Sequence, residues 1–321
     1  MGPETRVTVV VPSHGRPLRL LWLLNALEEQ TLSGPWDVVV VHDYDAGFAE
    51  RVLDRHPLAR DGRLRHVPIP PGTGSPARQR NVGWRAARGR FVAFTDDDCR
   101  PEPEWLDRLL ASVRDPETDV VQGATRPDPL EVHLLAAPHH RTMATEPPGP
   151  FFQTCNILYP RALLERLGGF DERAVSGEDV GLACRARAAG SRIVGARRAV
   201  VNHAVESHTL PGMVRENLKW RHLAYLVKRH PEVRRDLCLR VFWNADHLAM
   251  TLAVAGVAGA ARDRRALALT APWAVRASRR RGAGARARAT ALAELPGQSV
   301  RQLAEVAGLA AGSVRHRTLL L

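Results

Sequence analysis

Three consecutive carboxylates, Asp96, Asp97 and Asp98, follow directly on the apolar run Phe91, Val92, Ala93 and Phe94. Like charges packed this closely repel one another, so the arrangement is costly unless a hard divalent cation, or a metal that carries a phosphate, neutralises them. Mg²⁺ and Mn²⁺ prefer oxygen ligands and suit such a set. The plain alternative is a solvated acidic turn. A second acidic pair, Glu178 and Asp179, opens the helical pattern 178–188, where carboxylates also complement the helix dipole and cap the first turn. Asp43 stands just past the β-branched run 38–41, and His203 just past the apolar stretch 193–201. A lone histidine is more often structural than a ligand. His139 and His140, inside the Pro-bounded stretch 127–150, have no companions at zinc-ligand spacing and read as part of a solvated, mobile cover.

Such groups act together only on a scaffold that lines up strand ends. The run 7–11 ends at Pro12 and a polar loop, and 18–27 then has helical character, which gives strand, loop, helix. The segment 37–41 repeats the buried-strand signature. Residues 70–75 form a Pro/Gly/Ser loop, 76–88 is helical in pattern, and Gly89 breaks it before the strand at Phe91. Strands alternating with helices imply a mainly parallel sheet with right-handed crossovers and a ligand crevice at its carboxyl edge, where Asp43 and the acidic triplet would meet.

In this order the motifs resemble the family 2 type of GT-A glycosyltransferases, over roughly residues 8–203. Val9 to Pro17 is similar to that family's first-strand opening, and Gly74 to Gly83, with Arg80 and Asn81, to its Arg-Asn-x-Gly helix start. The stretch from Phe94 to Leu106 is similar to its DxD segment. Gly168, Gly169, Phe170, Asp171 and Glu172, followed by Glu178 and Asp179, resemble its acceptor-side motifs. The resemblance implies an α/β fold of GT-A (nucleotide-diphospho-sugar transferase) type, a Rossmann-like, mainly parallel sheet flanked by helices. It implies inverting, metal-assisted transfer of a sugar from a nucleotide-sugar donor to an acceptor hydroxyl. Pro12, Asp43, Arg80, Asp96 and Asp97 would face the donor, Asp98 would ligate the divalent cation (Mg²⁺ or Mn²⁺) with His203 as a metal or phosphate contact, and Asn156, Asp171 and Glu178 would lie on the acceptor side. Asp179, second of its acidic pair, would be the general base. Two departures bear on base and sugar identity: His42 stands where many members have an aspartate, and His14 replaces a frequent aromatic or polar residue.

The 321 residues, 45% hydrophobic and 25% charged, suffice for one large domain plus an appendage. The natural division is a catalytic domain over 1–208 and a mostly helical, basic region over 209–321. A formal charge of +12 raises nucleic acid as a partner. Lys219 and Lys228 are the sole lysines, however, and an arginine bias of this kind reads as high-GC coding, so no nucleic acid is expected. Cys99, Cys155, Cys184 and Cys238 form no CxxC pair and read as free thiols of a reducing, cytoplasmic compartment. The five-residue run 7–11 is too short for a signal h-region, and no leader is expected. Residues 213–229 form a basic amphipathic pattern that fits either burial on the catalytic domain or an anionic membrane surface. The uncharged stretch 247–261 and the shorter 266–275 fall below a bilayer span, and flanking arginines suit peripheral contact at the inner face of the cytoplasmic membrane. Residues 282–290 read as a linker and 299–311 as a final helix. Such a tail favours a lipid-linked or other cell-envelope glycan as acceptor. Two rival readings remain: a catalytically silent nucleotide-sugar-binding protein, and a nucleotidyltransferase, which the single glycine in 13–17 makes the weaker of the two.

Overall fold

Apolar runs that can be buried on both faces become the central strands, as parallel sheets require. The computed structural model describes residues 5–282 and 284–321. In chain order the strands are β1 (Val7–Ser13), β2 (Trp36–His42), β3 (Leu64–Pro68), β4 (Phe91–Phe94), β5 (Cys99–Pro101), β6 (Val120–Pro127), β7 (His140–Arg141), β8 (Ile157–Pro160), β9 (Ile193–His203) and β10 (Glu206–Ser207). Eight of them form one sheet in the order β3-β2-β1-β4-β8-β6-β9-β5. Only β8 and β5 run against the others, so the sheet is mixed and mostly parallel. The carboxyl ends of β1, β2, β4, β6 and β9 therefore share one edge.

The chain divides into two compact units, one comprising residues up to Leu134 and Thr142–Glu206, the other Leu135–Arg141 and Ser207–Leu321. The first unit holds the eight-stranded sheet. Side chains alternate across β1: Val7, Val9 and Val11 join the core that includes Leu20, Leu23 and Leu24 of the helix Pro17–Glu28, while Val10 joins Trp84 and Ala77 of the helix Pro76–Ala86. That second helix lies close on the sheet because of Gly83. A Cβ there would stand 2.4 Å from Val10 Cγ1. The helix Glu178–Ala188 spans the expected residues.

The second unit is helical, with Leu210–Asn217, Leu223–Arg229, Ala245–Gly259, Ala271–Arg279, Ala285–Ala293 and Leu295–His316 as its α-helices. Its buried polar centre is Glu305, which accepts from Asn217 Nδ2 at 3.0 Å and lies 3.1 Å from His247 Nε2. Among the described residues no helix is long and apolar enough to cross a membrane.

Four expectations need correction. The pattern 213–229 is not one helix, because a 3₁₀ segment, Leu218–His222, interrupts it. Most of the supposed linker 282–290 is the start of the helix Ala285–Ala293, whose alanines and arginines are good helix formers. The last helix starts earlier and ends later than 299–311. His139 is not solvated: it is partly buried, Gly297 packs against its ring, and its Nδ1 is buried without a hydrogen-bond partner.

Candidate active site

The turn between β4 and β5 sends its three carboxylates in three directions. Asp96 Oδ1 accepts from Arg80 Nη2 at 2.6 Å. Asp97 Oδ2 accepts from Ser13 Oγ at 2.8 Å and from the His14 amide at 3.2 Å, both at the end of β1. Asp98 Oδ2 accepts from Arg16 Nη1 at 2.5 Å. Burial and the charge of Asp98 push the Asp97 carboxyl up to about 6, against the opposing pull of Arg16 and the two hydrogen bonds. Arg16 also reaches Asp97 at 3.5 Å and Glu206 at 3.1 Å, so one guanidinium ties together three acids. The sequence reading left Arg16 without a role. Its one legible signal was position, as the cation of the loop between β1 and Pro17.

The cation expectation rests on Asp98 and His203. β5 pairs antiparallel with β9 and places Cys99 opposite His203. The His203 Nδ1–H donates to the Ala204 carbonyl at 2.9 Å, which fixes the ring and leaves Nε2 for the site. That nitrogen faces Asp98 Oδ1 at 3.7 Å. A carboxylate oxygen and an imidazole nitrogen held this close, with a second carboxylate adjacent, fit a divalent cation. The third nearby group, Cys99, does not. Burial and the charge of Asp98 hold its thiol well above the usual range, so it stays protonated. The carboxylate oxygens suit Mg²⁺ or Mn²⁺, and a protonated thiol is a ligand for neither.

Arg80 forms a buried bridge. It is 5% exposed, and besides Asp96 it donates to Glu178 Oε1 at 2.7 Å, linking the triplet to the second acidic pair. The rest of the Arg-Asn-x-Gly motif has equally definite work. Asn81 donates to the Phe170 carbonyl and to Glu172 and accepts from the Phe170 amide and Trp84 Nε1, which fixes the loop 168–172. Gly169 sits at φ +73° with Asn81 and Trp84 against its Cα, where a Cβ would clash. This loop and Gly177, at φ +78°, set the start of the helix that carries Asp179. Burial and the charge of Glu178 push the Asp179 carboxyl well above the carboxylate range, and Arg80 restrains the rise. A carboxyl so placed is poised to take up a proton near neutral pH.

Asp43, past the end of β2, holds His14 Nδ1 at 2.7 Å, and Tyr44 Oη bonds Ser13 Oγ and the Arg16 amide. Pro12, buried in β1, contributes backbone at this edge. His42 turns away from it. The Tyr44 amide donates to Nδ1, so Nε2–H of the neutral ring donates to His66, whose Nε2–H donates to Asp54. Burial and His66 push His42 down to about 4.

One acceptor-side expectation is corrected. Asn156 is 1% exposed in the core: its amide donates to the carbonyls of Ala124 and Ala199 and accepts from Trp105 Nε1. The β6–β9 register shifts between Gly123 and Ala124, and Asn156 satisfies carbonyls that this bulge strips of ladder partners. Asp171 accepts from the Arg173 amide and guanidinium and so closes its own turn. Glu178, the third, is the Arg80 partner described above.

Residues 8–168 match the profile of glycosyl transferase family 2. A pre-mycofactocin glycosyltransferase of Mycobacterium tuberculosis is 29% identical over 252 residues, covering 74% of this chain and 51% of the relative. The chain thus spans about half the length of that curated relative. Among solved structures, a mannosyltransferase of Pyrobaculum calidifontis in complex with GDP-Man and Mn²⁺ aligns over 99% of this chain and 89% of its own, at 21% identity and a TM-score of 0.60. Staphylococcus aureus TarS residues 1–349, in complex with UDP-GlcNAc, aligns over 98% and 93%, at 17% identity and a TM-score of 0.51. At such identities the likeness speaks for the fold, a GT-A sheet flanked by helices with a helical C-terminal region. With half the chain matching the family profile and the acidic edge in the order its motifs require, the protein belongs to glycosyl transferase family 2.

Proposed function

We propose that this chain is a metal-assisted, inverting glycosyltransferase that moves a sugar from a nucleoside-diphosphate sugar to an acceptor hydroxyl in cell-envelope glycan synthesis. The observation that carries the reading is the convergence of Asp97, Asp98 and His203 with Glu178 and Asp179 at one sheet edge, with Arg16 and Arg80 between them. Asp98 and His203 would hold a divalent cation, which when bound supplies Lewis-acid neutralisation of the diphosphate. Arg16, already at the acids of this edge, donates to the departing phosphate oxygens. Asp43 and the end of β1 hold the nucleoside. Asp179 takes the acceptor's proton as the acceptor oxygen bonds to the anomeric carbon and the bond from that carbon to the diphosphate breaks. One displacement of this kind inverts the anomeric centre. Residues 1–208 form the catalytic domain and 209–321 an accessory region that works at the inner face of the cytoplasmic membrane.

A thermal-shift panel of UDP-, GDP- and dTDP-sugars, each with and without Mn²⁺, tests the reading. A ligand that binds only the folded state raises the melting temperature by mass action, by about 2.7 kcal/mol at a hundredfold excess over Kd. One donor is expected to stabilise the protein with Mn²⁺ and to be hydrolysed slowly. Asp98→Asn should abolish the Mn²⁺-dependent part. A donor that binds but never turns over, with any acceptor extract, would leave a silent binding protein instead. Full transfer after chelation would remove the cation from the scheme.

A further inference from the structure

The net charge of the chain lies almost wholly in its C-terminal part. Residues 207–321 carry 20 Lys and Arg against 7 Asp and Glu, a balance of +13, whereas residues 1–206 carry 26 against 27. A coding bias toward arginine would act on both parts alike, and in the first it is matched by acids. The second lacks that compensation.

The same part also exposes an apolar face. The helix Ala245–Gly259 is followed by the 3₁₀ segment Arg264–Thr270, which lies back on it: a Cβ on Gly256 would stand 2.7 Å from the Ala266 carbonyl, and one on Gly259 3.0 Å from Ala266 Cβ. These glycines let the two backbones approach, and the outer sides of the pair remain uncovered. Among the described residues the large apolar side chains exposed here are Val254, Val257 (64%), Leu267 and Leu269, with Val275 on the following helix. Arg262, Arg264 and Arg265 are exposed at the turn between the two segments. Beyond Val275, Arg279 and Arg280 line a cavity of about 490 Å³ with Trp273, Arg276 and Arg301. Arg276 is paired with Asp246 and Arg301 with Glu305. Burial, with Arg301 and Arg281 as close like charges, depresses the affinity of Arg280 for its proton, against the opposing pull of Glu294 and Glu305. The surplus of thirteen positive charges in this part favours an external anion.

Aliphatic side chains between arginines suit lipid better than nucleic acid, since Val and Leu offer no stacking surface for bases. Fifteen helical residues are too few to span a bilayer and enough to lie along its surface. We propose that this face of the C-terminal unit docks on an anionic phospholipid bilayer, with Val254, Val257, Leu267, Leu269 and Val275 in the headgroup–acyl boundary and the arginines on headgroup phosphates. The inference extends the proposed membrane-side acceptor by naming the docking surface and its lipid chemistry. Its test reads vesicle binding alone, so it fails or holds separately from glycosyl transfer.

The full-length chain is co-sedimented with vesicles of phosphatidylcholine, or of phosphatidylcholine with about 30% phosphatidylglycerol, at low and high salt. Binding to the anionic vesicles is expected to be at least about tenfold tighter and to weaken with salt. Val257→Asp with Leu267→Asp, and separately Arg264→Glu with Arg265→Glu, should each lower it about tenfold or more while the melting temperature stays that of the parent. Equal binding to neutral vesicles, indifference to both double variants, or retention on a DNA duplex in preference to vesicles would overturn the proposal.

Discussion

Replacing Arg80 with Met tests how the two acidic groups are held together. The guanidinium is 5% exposed and donates to Asp96 at 2.6 Å and to Glu178 at 2.7 Å. Removing one partner of a buried ion pair costs about 3–5 kcal/mol, because the charges left behind have lost their solvent. Glu178 keeps 11% of its side-chain surface and Asp96 27%, so water recovers part of the loss, which puts the cost near the lower end, about 3 kcal/mol. For a unit of this size that lowers the melting temperature by about 6–12 °C. A second readout separates site from scaffold. Arg80 is the charge that restrains the rise of the Asp179 carboxyl. A general base works deprotonated, so transfer increases with pH through its pKa. Without Arg80 that pKa climbs further, the acidic limb of the pH–rate profile moves up by about one pH unit, and the rate at pH 7 falls about fivefold. Arg80→Lys restores one contact at most and should recover only part of both effects. Differential scanning fluorimetry and a donor-turnover profile from pH 5 to pH 9, scanned in steps of about half a unit, measure the two quantities. A variant that melts within about 2 °C of the parent and keeps its acidic limb in place would refute the bridging role.

Asp179→Asn should keep donor affinity in the thermal-shift assay while transfer drops about 10²- to 10⁴-fold, the worth of a positioned base; loss of donor affinity in step with rate would argue against that role. Gly83→Ala sets a methyl 2.4 Å from Val10 Cγ1 and 3.3 Å from Val41 Cγ2, so the helix must lift from the sheet, at a cost of about 2–3 kcal/mol in denaturant unfolding. His42, pushed down to about 4 in the fold, refuses a proton that the unfolded chain accepts below about 6.5. Its contribution to stability is complete above that value and is lost as pH falls toward 4, by up to about 3 kcal/mol, so urea midpoints of His42→Gln at pH 7.5 and pH 5 should differ less than those of the parent.

Much of the edge was legible because a carboxylate past the end of a hydrophobic run can hardly be elsewhere in a parallel sheet. Asp43, Asp96, Asp97, Asp98 and His203 fall there, and the helix over 178–188 followed from its acid-started pattern. Some strands that went unread carry polar or charged residues inside the sheet. β3 mixes Arg65 and His66 with Leu64 and Val67 near the sheet margin, and β6 contains Gln122, whose amide oxygen accepts from the Gly149 backbone in the interior. Side-chain type misled at Asn156, because a bulge in the β6–β9 register creates a need for a buried amide that no local pattern reveals. At Arg80 a basic residue near acids suggests a phosphate contact, and only the three-dimensional arrangement puts Nη1 and Nη2 on carboxylates while Nε stays buried without a partner.

The two arginines divide the site into halves with different duties. Arg80 lies beneath, paired with Asp96 and Glu178 and close enough to feel the charge of Asp179, and so keeps three acids within one cluster. Arg16 lies toward Asp97, Asp98 and Glu206 and is the more exposed of the two, with 41% of its side chain open. Five carboxylates, Asp96, Asp97, Asp98, Glu178 and Asp179, thus face two guanidiniums, and the edge is negative. A diphosphate would be repelled from such an edge if it arrived alone. In the proposed scheme positive charge therefore accompanies the donor, as a divalent cation held by Asp98 and His203, and the acidity of the edge would couple donor binding to that cation, while the buried bridge at Arg80 lets the acidity be built without forcing the sheet edge apart.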